Sequence, residues 1–262
     1  MELKNKKVLI TGGSAGIGKS IIHELTKQGV QDIAVIGRRK EPMEALKQEY
    51  PSVNFLTIQA NMSRPDELTE AVQLISGEWN ELDILINNAG VVSAGLLTEL
   101  SDEDIINQIN INLTGLILLT KKSLPLLMKS KGGAIMNISS GYGYIAMPFY
   151  SVYAATKAAV GQFSDAMRRE LHQYPLHVMT VYPSATDTPM MKTAKMGQMD
   201  SPEEVAKVSV KGLLNEKMNV ILGGPEREEQ IKINFLEPEK IDQFAIANYE
   251  GLREGTKNHR AM

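Results

Sequence analysis

The chain has 262 residues, 28 Lys and Arg against 31 Asp and Glu for a formal charge of −3, 43% hydrophobic residues and no cysteine. That length and apolar content exclude a disordered chain and fit one large domain or two small ones, and the near-neutral balance excludes the electrostatic footprint of a nucleic-acid or polybasic membrane binder. Without cysteine there are no disulfides, thiolate metal sites, iron–sulfur clusters or thiol chemistry. No apolar run approaches the roughly 18 residues of a membrane span, and residues 1–7 lead into a strand with no signal-peptide core, so a cytoplasmic protein is expected.

Short, continuously apolar runs alternate with segments of helical period. Strands are expected at 8–11, 33–36, 55–58, 84–86, 134–138, 178–181 and 220–222, because runs apolar at every position belong to sheets buried on both faces. Helices are expected at 17–28, 41–49, 65–77, 101–129, 151–174 and 202–215, with Gly29 closing the first and Ser201-Pro202 opening the last. This alternation predicts one α/β domain, a Rossmann-type doubly wound parallel sheet of seven strands with helices on both faces, and a ligand crevice at the carboxyl ends of the strands. Residues 225–262 read as a charged helical extension of unassigned role.

Strand 8–11 ends in Thr11-Gly-Gly-Ser-Ala-Gly-Ile-Gly-Lys-Ser20, and a helix follows. Glycines here let the backbone turn tightly and approach a phosphate seated on the free N–H groups of the helix. The string satisfies three patterns: Gly12, Gly16 and Gly18 for a dinucleotide loop; Gly13, Gly18, Lys19 and Ser20 for a P-loop; Gly12, Ser14 and Gly16 for a nucleophile elbow. A P-loop enzyme needs a metal-binding aspartate at the end of another strand, where this chain has Arg38, Asn61, Asn87, Ser139 and Pro183. An elbow needs an oxyanion loop from an earlier strand and a histidine partner, and neither is evident. The dinucleotide reading is favoured.

At the end of the second strand, Arg38-Arg39 replaces the carboxylate that would meet a free ribose hydroxyl. An arginine fork suits a 2′-phosphate, so NADP(H) is expected over NAD(H). Further on, Tyr153 and Lys157 stand four apart on a helical segment. A positive charge beside the phenol would favour the phenolate and lower its pKa, making Tyr153 a plausible acid for a carbonyl oxygen receiving hydride. Tyr150, the nearby decoy, has Ala154 at the same spacing.

Taken together, Thr11-Gly12-x-x-x-Gly16-Ile17-Gly18, Asn87-Asn88-Ala89-Gly90, Asn112, Asn137-Ile-Ser139-Ser140 and Tyr153-x-x-x-Lys157 resemble the short-chain dehydrogenase/reductases over about residues 5–222. The resemblance implies Tyr153 as general acid/base, Lys157 lowering its pKa and holding the nicotinamide ribose, and Ser140 in preference to Ser139 at the substrate carbonyl. Asn112 would bind a water in a proton relay. Thr11, Gly12, Ser14, Gly16, Ile17 and Gly18 would cradle the cofactor, Asn88, Ala89 and Gly90 would pack beside it, and Pro183 and Thr188 would lie near the nicotinamide. It also implies a homodimer or homotetramer built on segments 101–129 and 151–174. No metal is implied.

Three positions depart from the family. Asn61 stands where an aspartate commonly accepts from the adenine amino group, a role an amide oxygen can still fill. Pro183-Ser184 replaces Pro-Gly, and Ala15 replaces a basic residue many NADP-dependent relatives carry. Five of fourteen aromatic residues, Tyr142, Tyr144, Phe149, Tyr150 and Tyr153, crowd one stretch, and Met190, Met191, Met196 and Met199 another. Rings and thioethers make an adaptable apolar surface, so a small-molecule carbonyl or alcohol with an apolar body is expected. A dinucleotide-binding regulator without catalysis and a P-loop nucleotide hydrolase are the alternatives.

Overall fold

Strand β1 (Lys7–Thr11) turns Val8 and Ile10 to one side of a sheet and Leu9 to the other, all three inaccessible to solvent. The same two-sided burial holds for the inner strands of the computed structural model, which describes residues 1–195 and 197–262. In chain order β1 is followed by α1 (Gly16–Lys27), β2 (Asp32–Gly37), α2 (Lys40–Glu49), β3 (Asn54–Gln59), α3 (Pro65–Glu78), β4 (Ile84–Asn87) and the short β5 (Val92–Ser93). Next come α4 (Asp102–Ile109), α5 (Gly115–Leu127), β6 (Gly133–Ile138), α6 (Ser151–Glu170), β7 (Leu176–Tyr182), α7 (Pro202–Leu214) and β8 (Asn219–Ile221). Three helices, α8 (Gly224–Leu236), α9 (Pro238–Ala247) and α10 (Tyr249–Thr256), then lead to β9 (Arg260–Ala261).

Seven strands form one parallel sheet in the order β3-β2-β1-β4-β6-β7-β8. One face packs on α1, α2 and α7 through Ile21, Leu25, Met43, Val205 and Val210; the other packs on α3, α5 and α6 through Leu68, Ile75, Leu119, Leu127 and Met167. Each such buried aliphatic side chain contributes on the order of 1.5–3 kcal/mol before entropy is charged. The strand order reverses between β1 and β4, which leaves a crevice outside their carboxyl ends, where the loops after Thr11, Gly37, Asn87, Ile138 and Tyr182 gather.

The expected doubly wound single domain is therefore present, with three corrections of detail. Segment 101–129 is not one α-helix: a π turn at Asn110–Thr114 separates α4 from α5. There the Asn112 side chain is drawn to the backbone of Val91, and Gly115 lies so close to Met62 that an added Cβ would stand 2.1 Å from its carbonyl oxygen. Helix 151–174 stops at Glu170, because Leu171 turns inward and Pro175 disfavours helical backbone before it. The segment 225–262 is helical as expected, but it also returns to the crevice, where β9 pairs antiparallel with β5 through Val92–Ala261 and Ser93–Arg260.

Candidate active site

The glycine-rich turn is shaped by what surrounds it. Gly12 and Gly16 adopt φ of +66° and +51°, a region costly for side chains. An added Cβ at Gly18 would lie 2.4 Å from the Gly12 oxygen and 2.5 Å from Asn88 Nδ2, so α1 can begin this close to the turn only from glycine. Asn88 Nδ2 donates to the carbonyl oxygens of Thr11 and Gly12, while Thr11 Oγ1 accepts from the backbone N–H groups of Asn88 and Ala89. Thr11, Gly18 and most of Asn88 thus brace the turn from behind, whereas Gly12, Ser14, Gly16 and Ile17 face the crevice. The P-loop residues point elsewhere: Lys19 pairs with Glu49 at 2.7 Å, and Ser20 bonds Glu203 at 3.2 Å.

The crevice is a cleft of about 420 Å³ that also takes in Arg38, Arg39, Asn61, Ala89, Gly90, Ser140, Tyr153, Lys157, Pro183 and Thr188. Among the described residues no Asp or Glu lines it, whereas Arg38, Arg39, Lys157 and Arg227 do. Arg38 and Arg39 are exposed and form no ion pair among the described residues; one Arg38 nitrogen donates to the Met262 oxygen at 3.0 Å, which leaves its other donors free. The Asn61 side-chain oxygen accepts from the N–H and the hydroxyl of Ser63, both at 3.0 Å. Ser184 needs no glycine: its φ is not positive, and its hydroxyl bonds Asp200, tying down the loop that brings Thr188 against Gly16.

At the other end of the cleft the two candidate serines separate. Ser139 is buried and donates to the Lys157 carbonyl at 2.7 Å, a bond that fastens β6 to α6. Ser140 stays half-exposed, and its hydroxyl accepts from the Tyr142 backbone N–H at 3.2 Å. Lys157, 4% exposed, donates to the Ile138 oxygen at 3.0 Å, with its nitrogen 5.7 Å from the centre of the Tyr153 ring. Asn112 accepts from Val91 N–H at 2.8 Å and donates to Val91 oxygen and Thr156. Its Oδ1 and the Lys157 nitrogen converge on Gly90, standing 3.3 and 3.5 Å from where a Cβ would sit.

Burial and charge act on the Tyr153 phenol in opposite senses. Burial lifts the phenol to about 12, the Ser140 hydroxyl works against that rise, and the Tyr142 phenol adds to it. The ammonium lies over the ring face and is itself pushed down to about 8 by burial.

Of the aromatic stretch, Tyr142, Tyr150 and Tyr153 line the cleft, with ring centres 4.8 to 6.3 Å apart. Tyr144 instead stacks on Tyr182 and Phe149 on Tyr249. Met190 and Met191 line the cleft, Met199 does not, and Met196 lies outside the described residues.

The substrate end also contains residues the sequence did not single out. His259, 2% exposed, lies between Met190 and Tyr150. The Met190 carbonyl can only accept, so His259 Nε2 carries the proton at 3.1 Å and Nδ1 accepts from the Tyr150 hydroxyl at 2.7 Å. Burial keeps this histidine below its usual pKa, consistent with the neutral ring. Next to it Arg260 holds Asp104 through two bonds of 2.9 Å, and Asp104 in turn accepts from Ser93 at 2.8 Å. A strand of two residues is too short for any periodicity to reveal, so no sequence signal marked it.

The family model described as short chain dehydrogenase matches residues 6–198. A 3-oxoacyl-acyl-carrier-protein reductase of Chlamydia trachomatis is 31% identical over 225 residues, covering 79% of this chain and 90% of its own length. An NADP-dependent 3-hydroxy acid dehydrogenase of Schizosaccharomyces pombe is 29% identical over 235 residues, with coverages of 88% and 91%. A short-chain dehydrogenase from Sphingobium yanoikuyae, solved in complex with NADPH, superposes with a TM-score of 0.77 at 27% identity, covering 93% of this chain and 96% of that one.

Proposed function

This chain belongs to the short-chain dehydrogenase family, and from that premise we propose that it is an NADP(H)-dependent oxidoreductase interconverting a carbonyl group and a secondary alcohol on a small molecule with an apolar body. The observation that carries this reading is the convergence of Ser140, Tyr153 and Lys157 at one end of a cleft whose other end is formed by the glycine turn, Arg38 and Arg39. A binding protein without chemistry has no use for the first three.

The cleft fits a dinucleotide. Gly12 and Gly16 leave backbone room that a Cβ would fill, at 3.1 Å from Ala89 and from Thr188 respectively, and the glycine turn presents the N-terminus of α1 to a pyrophosphate. Two arginines without an Asp or Glu partner among the described residues suit a 2′-phosphate, which is the basis for NADP(H) over NAD(H). When bound, the cofactor supplies or accepts the hydride. Ser140 orients the carbonyl oxygen, and the Tyr153 hydroxyl gives it a proton. The Lys157 ammonium favours the phenolate left behind. Lys157 returns the proton by way of a water that Asn112, converging with it at Gly90, would hold.

A cytoplasmic address is part of this reading. So is a homodimer or homotetramer on the 101–129 and 151–174 segments, supported by Ile106 and Ile109 of α4 standing 55% and 40% exposed. The test is the loss of NADPH absorbance with a panel of ketones and aldehydes, repeated with NADH. Faster turnover of NADPH is expected. Tight NADPH binding without oxidation by any carbonyl would make the chain a regulator instead.

A further inference from the structure

We infer that the substrate carries one anionic group, a carboxylate at the end of its apolar body, and that Arg227 binds it; this rests on the carbonyl oxidoreductase reading above. Arg227 lies in the first turn of α8, where the positive end of the helix dipole disfavours a cation. Among the described residues it has no ion pair to offset that cost, yet its side chain is half-buried. What surrounds it instead is the substrate end of the cleft, which it lines together with Tyr142, Tyr150 and Met190.

Two features hold it there. Gly223, at φ +97°, has no side chain, and a Cβ on it would stand 3.0 Å from Arg227 Cβ and 3.5 Å from Arg227 Nε, so the arginine stem folds back across the glycine. Asn234, further along α8, donates to the Tyr144 oxygen at 3.1 Å and docks the helix on the segment that follows Ser140. The guanidinium is close enough to the half-buried Tyr142 phenol to work against its rise in pKa, and the Tyr142 ring meets the Tyr153 ring edge-on at 6.3 Å. A cation and the catalytic phenol thus flank one aromatic side chain. With no carboxylate of the protein in the lining, a planar guanidinium fork offers a carboxylate two parallel charge-assisted hydrogen bonds while the tyrosines and methionines take the apolar body.

The test has a binding arm and a turnover arm. In the first, hexanoate and hexanamide are titrated calorimetrically into the NADP+-loaded wild type, Arg227→Gln and Arg227→Lys proteins. In the second, oxo acids with two to five carbons between carbonyl and carboxylate are compared with their methyl esters by kcat/KM with NADPH. The expected results are hexanoate binding at least about tenfold tighter than hexanamide, an acid-to-ester kcat/KM ratio of about 10 or more, collapse of both preferences towards unity in Arg227→Gln, and partial recovery in Arg227→Lys. Equal binding of hexanoate and hexanamide by wild type, or a preference that survives in Arg227→Gln, overturns the inference. If esters and neutral ketones are reduced as fast as the acids, the inference fails and the oxidoreductase reading stands. If NADPH is never oxidised but hexanoate binding still depends on Arg227, the oxidoreductase reading fails and the anion site stands.

Discussion

The two ends of the cleft are built in different ways. The cofactor end comes mostly from the first 90 residues, from tight turns whose shape depends on glycines and which Asn88 braces on Thr11. The substrate end is assembled from distant pieces: the segment after Ser140, the loop around Met190, and a chain terminus that travels through three helices before His259 and Arg260 close against Tyr150 and Asp104. Local turn chemistry is rigid and general, suiting a shared cofactor. A wall held by a handful of long-range polar contacts can be altered piece by piece, suiting a substrate particular to one protein.

If that division holds, substitutions at the centre should abolish activity, those at the cofactor end should change cofactor choice, and those in the terminal wall should change carbonyl affinity. The largest effect is expected at Lys157. Replacing it with Met should lower kcat by roughly 10²–10⁴-fold, the range for a disabled proton-transfer group. Because burial holds its folded pKa near 8, below the 10.5 of an unperturbed lysine, the folded state releases its proton between those values while the unfolded chain keeps it. Stability attributable to this group therefore rises with pH from about 8 to 10.5, and is lowest below 8, where a buried charge is carried. Lys157→Met should accordingly raise the thermal midpoint at pH 7 by a few degrees; a fall would contradict the electrostatic account. The same titration predicts that carbonyl reduction falls as pH rises through about 8, read from a pH profile of kcat/KM.

Smaller, and confined to the cofactor end, is the effect of Arg38→Ala. One good charge-assisted pair is worth about 1.5–3 kcal/mol, so the NADPH-to-NADH ratio of kcat/KM should drop about 10- to 100-fold. A ratio that does not move would remove the phosphate-binding role. Smallest is Arg260→Ala in the terminal wall. It frees Asp104, whose carboxyl the arginine now holds below the usual range, and it should raise the KM for the carbonyl substrate several-fold with KM for NADPH little altered. An equal rise in both would show that the terminus serves the whole cleft. Since the Asp104 pKa is lowered on folding, the stability this pair adds is present above the ordinary carboxylate range and is lost as pH falls through the folded value.

Legibility in the sequence follows the same division. Apolar runs located all seven strands of the parallel sheet, most directly the inner strands β1, β4, β6 and β7, where burial on both faces leaves no other pattern, and the glycine turn, Tyr153 and Lys157 were readable because their spacing is fixed by local backbone geometry. Choosing Ser140 over Ser139 agreed with the hydrogen bonds that commit Ser139 to the Lys157 carbonyl. The turn in which the Asn61 oxygen accepts from Ser63 is a contact that composition does not encode. Residue spacing places Lys157 beside Tyr153 but does not weigh the burial that raises the phenol's pKa against that charge. Arg227 and His259 were missed because what brings them to the cleft is the packing of α8 on Tyr144 and of β9 on β5.

The central claim is that Tyr153 delivers the proton that accompanies hydride transfer. Its direct test is the single-turnover oxidation of bound NADPH by a reducible carbonyl compound, wild type against Tyr153→Phe, with NADPH affinity measured on both. The account predicts rapid oxidation in wild type and a loss of roughly 10²–10⁴-fold in the variant at nearly unchanged NADPH affinity; a variant that oxidises NADPH at the wild-type rate would contradict it.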